Sequence, residues 1–421
     1  MHHQTRKTPM HQWHRDHQAN MAVFGGYSMP MWYASAKNEH LAVLTRAGLF
    51  DTCHMAVLTV QGPAAYDLLQ HCFTKDLAAC CGPHQTPLTP GHCVYGAFLN
   101  ALGHVIDDAI VFMQATADYM VVVNAGMGTP VTAHLKHHQA DLQVTITDWT
   151  DQVGKIDLQG PLSVRVLQTL LQDPGQVLDQ LPYFTFKGDF RASGGHSPVS
   201  FKDGPTALVS RTGYTGEVGF EIFCPLAHTH RLWDLLLAAG QSSGLVPCGL
   251  AARDSLRAGA LLPLSHQDIG PWPFVHHPWP FVLPFSADQR GFTKSFIGDQ
   301  ALLDARDAPY TLPFAGYDAR KVATESAVVK ARDGRNIGKV LTCTTDMAIG
   351  RHNGTVYSMM SPDRPAGWTP RGLCCGFVYV EAPLAVGTRV ELHDQRRKVE
   401  AQIVSDIRPA RTARRPLKQF L

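Results

Sequence analysis

Two well-separated segments of the chain read alike: LTVQGPAAYDLLQHCF from Leu58 and IDLQGPLSVRVLQTLL from Ile156. Each has a short apolar strand, then Gln-Gly-Pro as punctuation, then apolar residues at the three- and four-residue spacing of a helix. The duplication restricts the chain to folds that hold two related strand-turn-helix units. Pro63 and Pro161 are expected in the first helical turn, where a missing N–H costs nothing. At 421 residues the chain exceeds one ordinary core, and roughly 150 residues per domain suggests about three units.

Other elements follow from local pattern. TALVSRTGYTGEVGFEIFC reads as a β-hairpin, with Gly213 and Gly216 at the turn and Phe220, Ile222 and Cys224 alternating on the returning strand. HTHRLWDLLLAAG reads as an amphipathic helix stopped by Gly240, and another helix starts near Leu250. The segment GPWPFVHHPWPFVLPF, residues 270–285, is too rich in proline for a regular helix and is expected to be an extended crossover packed by its aromatics. After Phe296-Ile297-Gly298 come short strands and turns that fit a small, mostly β domain. Within it, GRHNGTVYSMMSPDRPAGWTP reads as an exposed loop and the basic tail RPARTARRPLKQFL as a solvated end. Strands mixed with helices in this way indicate an α+β protein with antiparallel sheets.

Charge excludes some roles. With 37 basic and 35 acidic residues the net charge is only +2, which asks for neither nucleic acid nor an anionic membrane. No apolar run approaches the about 20 residues of a membrane span, and the N-terminus has no apolar signal region. The ten cysteines form neither a CxxC pair nor a compact framework, so reduced thiols and a cytoplasmic location are expected. His134, His137 and His138 share a helix face, but no accompanying carboxylate makes a metal motif, and no metal is expected.

The run VIDDAIVF, residues 105–112, places two carboxylates in an otherwise apolar strand. Alternation puts Asp108 on the face of Ile106, Ile110 and Phe112, and Asp107 on that of Val105, Ala109 and Val111. Two readings stand: a turn or bulge before Ala109 that lets both acids reach water, or a functional carboxylate at the mouth of a pocket.

TPMHQWHRDHQANMAVFGGYSMPMWY, EHLAVLTRAGLFDTCHM, GHVIDDAIVF, YMVVVNA, LQGP, SRTGYTGEVGFEIF, CGLAARDSLR, HQDI and SFIG occur in the order and approximate spacing of the glycine-cleavage T-protein family. The chain resembles these tetrahydrofolate-dependent aminomethyltransferases well over about residues 5–300 and more loosely beyond. The resemblance implies a three-domain cloverleaf around a central folate channel, with two α+β domains that intertwine in sequence and a C-terminal small β-barrel. The implied divisions are residues 1–54 with 149–243, residues 55–148 with 244–292, and residues 293–421. It further implies a reaction in which the aminomethyl-lipoyl arm of H-protein gives its one-carbon unit to tetrahydrofolate and ammonia leaves.

By the same resemblance Asp108 is the catalytic carboxylate, suited to orienting folate amines and to stabilising an iminium-like carbon. Asp107 is expected to be structural, capping the turn. Glu221, Arg253, Asn124 and Met55 match folate-contacting positions: a carboxylate for an amino-pyrimidine edge, a planar cation for a carbonyl or carboxylate, a hydrogen-bonding amide and an apolar wall. Glu217, at the turn of the hairpin, is expected to be exposed.

Two departures stand out. Gly103-His104 replaces the usual glycine pair before the aspartates, and the segment after His-Gln-Asp-Ile, residues 270–285, lacks the glutamate usual there. The second departure leaves open a different donor, a folate-dependent methyltransferase or demethylase acting on a small S-, O- or N-methyl compound. A non-catalytic folate-binding regulatory protein is the third reading.

Overall fold

The computed structural model describes residues 5–82, 84–191 and 198–421. The duplicated units are realised as strand Ala56–Gln61 followed by helix Ala65–Cys72, and strand Val153–Gln159 followed by helix Ser163–Leu170. Each turn needs its glycine. Gly62 and Gly160 sit at φ +127° and +117°, and a Cβ would come within 2.3 Å of the Gln143 carbonyl oxygen and 2.5 Å of that of Val43. The helices begin at Ala65 and Ser163, so Pro63 and Pro161 belong to the preceding turn rather than to the first helical turn.

Each unit joins its own sheet. The first sheet is antiparallel, in the order Cys93–Leu99, Val105–Ala115, Asp118–Val123, Ala56–Gln61, Thr145–Asp148. The second runs Phe186–Gly188, Thr206–Ser210, Gly219–Pro225, Val153–Gln159, Gly48–Asp51, Val246–Pro247, with only the last pair parallel. The hairpin is formed in the register Leu208 to Phe223 and Ser210 to Glu221, and Phe220, Ile222 and Cys224 share one buried face. Residues 48–51 and 246–247 reach the second sheet from either side of the first sheet's chain segment, so the two sheets interleave in sequence.

Helices cover one face of each sheet, and the other faces meet. Leu68, Leu69, Val131 and Leu135 pack on the first sheet, and Val164, Leu167, Leu232 and Trp233 on the second. Between the sheets, Phe112 sits edge-on to Phe186 and Phe223, with ring centroids 5.3 and 5.9 Å away. Burial on both faces explains why a strand such as Asp118–Val123 is apolar almost throughout.

A closed antiparallel barrel, in the order Tyr310–Gly316, Leu373–Val380, Asn336–Asp346, Val328–Lys330, Arg389–His393, Lys398–Ile403, completes the mixed α+β fold. Residues 270–285 form no regular helix, as expected, but they are a run of bends and turns with a short 3-10 turn at Pro280–Val282 rather than an extended crossover, because the Trp272 and Val275 N–H groups close back onto the Gly270 and Pro273 carbonyls. Trp279, buried, donates its indole N–H to the Leu261 carbonyl at 2.8 Å and packs on Phe377 of the barrel.

Two expectations for the C-terminal part are corrected. The supposed exposed loop contains a hairpin, Ile349–His352 with Thr355–Ser358, whose Ser358 is buried. The basic tail is docked: Arg408, Thr412 and Leu417 are buried, and Arg408 Nη1 donates to Asp346 at 2.8 Å. Buried charge with a buried partner overrides the general preference of basic tails for water. Among the described residues no helix is long and apolar enough to cross a membrane, and all ten cysteines are free.

Candidate functional site

The strand Val105–Ala115 slips register by one residue opposite Phe98 and Leu99, leaving Ile106 unpaired, and is regular through both aspartates. The irregularity therefore does not carry both acids to water. Asp107 is fully buried, and it does not cap a turn. It accepts the Asn124 N–H at 2.8 Å, the Asn124 side-chain amide at 2.9 Å and the Ser265 hydroxyl at 2.9 Å. It thereby ties the end of strand Asp118–Val123 to the loop after helix Leu250–Gly259.

Asp108 points the other way, into the space between the sheets, and keeps part of its surface open. Tyr95, on the neighbouring strand opposite Ile110 and diagonal to Asp108, donates its hydroxyl to Oδ2 at 2.6 Å, and the Asn124 amide donates to Oδ1 at 2.6 Å. Burial, reinforced by the adjacent Asp107 charge, pushes the Asp108 carboxyl up to about 6 against the pull of these donors. A carboxyl so placed holds or releases a proton near neutral pH.

The second sheet supplies the other wall. Val153, Lys155, Asp157 and Gln159 alternate onto the face that meets the first sheet, and Glu221 and Phe223 lie beside them. The buried Lys155 amine donates to Asp157 at 2.6 Å and to Glu221 at 2.5 Å. The other Glu221 oxygen takes the Thr212 hydroxyl. Asp157 also accepts Arg253 Nη1 at 2.7 Å and the Thr52 hydroxyl at 2.9 Å. Burial alone would raise the Asp157 carboxyl, but Lys155 and Arg253 outweigh it and hold it below the ordinary range. Tyr214 joins the two walls: the Arg253 guanidinium lies 4.9 Å from its ring centre, and the tyrosine is within electrostatic reach of Asp108.

The charges are unevenly matched. Lys155 and Arg253 balance Asp157 and Glu221, whereas Asp107 and Asp108 have only the half-exposed His266, at 3.6 Å from Asp107, as a nearby paired cation among the described residues. The site can therefore favour positive charge beside Asp108.

The model of the family described as the GCVT N-terminal domain matches residues 10–272. The chain belongs to that family. It is a family of folate-dependent enzymes. An aminomethyltransferase of Bacillus subtilis is 31% identical over 83% of this chain and 90% of its own length. One from Halalkalibacterium halodurans is 35% identical over 63% of this chain, a match spanning 66% of that relative. The crystal structure of the glycine cleavage system aminomethyltransferase T from Bartonella henselae superposes with a TM-score of 0.75 at 25% identity, covering 98% of this chain and 99% of that one.

In this member of the GCVT family the five residues singled out from the sequence fall around one inter-sheet space. Asp108, Asn124 and the half-buried Met55 come from the first sheet and its connections, Glu221 from the second, and Arg253 from helix Leu250–Gly259. Glu217 is corrected: it is buried, accepts the Thr412 hydroxyl at 2.6 Å and faces Arg408 at 3.4 Å. His134 is partly buried, so only part of the histidine face on helix Gly128–Gln139 is solvated.

Lys155, Tyr95 and Tyr214 escaped the sequence reading. Lys155 had a signal, because Lys155, Asp157 and Gln159 alternate with the apolar Ile156 and Leu158. That pattern reads as a solvent face unless a second sheet covers it. The tyrosines had none, since what distinguishes them is contact with residues distant in sequence.

Proposed function

We propose that the protein is a tetrahydrofolate-dependent aminomethyltransferase of the glycine cleavage system. It takes the one-carbon unit from the aminomethyl-lipoyl arm of H-protein, passes it to tetrahydrofolate and releases ammonia. The observation that carries this reading is Asp108: a partly open carboxyl, fixed by Tyr95 and Asn124, with its proton affinity raised to about 6 and with uncompensated negative charge around it. That environment favours a cationic one-carbon centre over a neutral one, which lowers the barrier to its formation. Its proton affinity also suits relay of a proton to departing ammonia.

The donor set fits the co-substrate. Asp108 offers acceptors to pterin N–H groups, and Arg253 offers N–H donors beyond the Nη1 it gives to Asp157. Met55 contributes apolar surface at the edge of the inter-sheet core. Glu221 holds one donor on each oxygen, Lys155 and Thr212, and keeps acceptor capacity on both for a pterin edge. Asn124 acts through Asp108, whose carboxylate it orients.

One observation favours a second reading, with a small methyl compound as donor. In the unusual crossover, Phe281 is half-exposed and its ring centre lies 6.1 Å from that of Tyr95, which itself holds Asp108. The altered segment thus adjoins the reacting carboxylate. Parallel assays with tetrahydrofolate and either aminomethyl-loaded lipoyl H-protein or sarcosine, dimethylglycine and dimethylsulfoniopropionate separate the two readings. Product from H-protein alone supports the first, and product from a small donor alone overturns it.

A further inference from the structure

Helix Leu250–Gly259 is followed by the turn Leu264 to Asp268, which is pinned at both ends. Asp268 takes the Leu264 N–H at 2.9 Å, the Thr342 hydroxyl at 2.6 Å and the Arg257 guanidinium. Ser265 hydrogen-bonds Asp107. Between them stands His266 at φ +62°, in the left-handed region that favours glycine. Its imidazole is half-exposed, and Nε2 lies 3.6 Å from Asp107 Oδ1. A side chain that glycine would replace without backbone strain is thus aimed at the buried member of the carboxylate pair.

We infer that His266 is a positioning residue whose positive charge compensates Asp107 and thereby favours the ionised form of Asp108. The inference rests on the proposed role of Asp108. Other charges facing this turn are already matched: Arg257 pairs with Asp268 and Asp254, and Arg253 with Asp157. Among the described residues Tyr95 and Tyr214 are the other titratable side chains acting on Asp108, and neutral phenols supply no charge to oppose Asp107. Asp107 in turn favours the protonated imidazole, so the His266 pKa is raised, chiefly by its contact with Asp107. With His266 protonated, the two adjacent carboxylates and one cation leave a single net negative charge beside the reacting carbon. Loss of that proton leaves both carboxylates uncompensated, and Asp108 then takes up protons more readily.

The test compares the full-length protein with His266→Gly, which relaxes the backbone and removes the cation, and with His266→Lys, which restores a cation that does not titrate in this range. With 13C-labelled aspartate, the resonance of Asp108 is assigned by its loss in Asp108→Asn, and its titration is followed directly. The Gly variant is expected to raise the Asp108 midpoint by about half a pH unit, the size of one half-screened charge at this range. The Lys variant returns it toward the parent value, and the acid limb of turnover follows in both. An Asp108 midpoint that stays in place or falls in the Gly variant overturns the inference. Full turnover by Asp108→Asn overturns the catalytic reading of Asp108 instead, and the titration still decides the role of His266.

Discussion

The Tyr95 hydroxyl donates to Asp108 Oδ2 at 2.6 Å across two adjacent strands, and it is one of two side-chain donors that hold this carboxylate. Because the bond favours the ionised form, Tyr95→Phe should move the acid limb of turnover upward. Hydrogen bonds to charged groups are worth about 1.5–3 kcal/mol, so a shift of about one pH unit is expected. A pH–rate profile of parent and variant checks it, and an unmoved limb contradicts the assignment.

The raised Asp108 carboxyl also carries a stability cost. Its folded pKa, about 6, exceeds the ordinary 3.8, so the native state binds more protons than the unfolded state between these values. Stability contributed by Asp108 therefore falls as pH rises from about 4 to about 6. Asp108→Asn should be more stable than the parent at pH 7 by about 1–3 kcal/mol, the lower part of the range reflecting its partial exposure, and should lose that advantage near pH 4. Denaturant unfolding at the two pH values measures the difference.

Lys155 is the hub of the buried network, with Asp157 and Glu221 both on its amine. Lys155→Met leaves two carboxylates with Arg253 as their one remaining cation in the network. Removing one partner of a buried pair costs about 3–5 kcal/mol, so a large loss of thermal stability is expected. A double change that also replaces Glu221 by Gln should recover part of it, and a neutral outcome for Lys155→Met would contradict the network.

Arg408 anchors the tail to Asp346 at 2.8 Å and faces Glu217 at 3.4 Å, while His40 holds the other Asp346 oxygen at 3.0 Å. Arg408→Met should destabilise the protein by about 3 kcal/mol, and ending the chain before Arg408 should do so at least as strongly. Thermal unfolding of both variants checks that the tail is structural.

Residues whose partners are local were readable from the sequence. The period of two placed Asp107 and Asp108 on opposite faces, and the duplicated Gln-Gly-Pro turns marked both strand-to-helix corners. Residues whose meaning depends on a distant cover were not. Glu217 is exposed in any isolated hairpin and becomes buried only when Thr412 and Arg408 close over it. The tail looked soluble by composition for the same reason. Lys155 went unread because nothing near it in sequence announces the opposing sheet that buries its face. That residues 270–285 form no regular helix was legible, since proline acts locally, whereas their folding into successive bends and turns rather than an extended run was not. Their nearness to Tyr95 needed the fold.

The role of Asp108 is tested most simply by turnover of tetrahydrofolate and aminomethyl-loaded lipoyl H-protein by the parent and Asp108→Asn, following ammonia and methylenetetrahydrofolate together. Stoichiometric formation of both by the parent is expected, with a loss of about a hundredfold or more in the variant, as for other removed charge-stabilising groups. Equal turnover by the two proteins, or no product from the parent while tetrahydrofolate binds, would contradict that expectation.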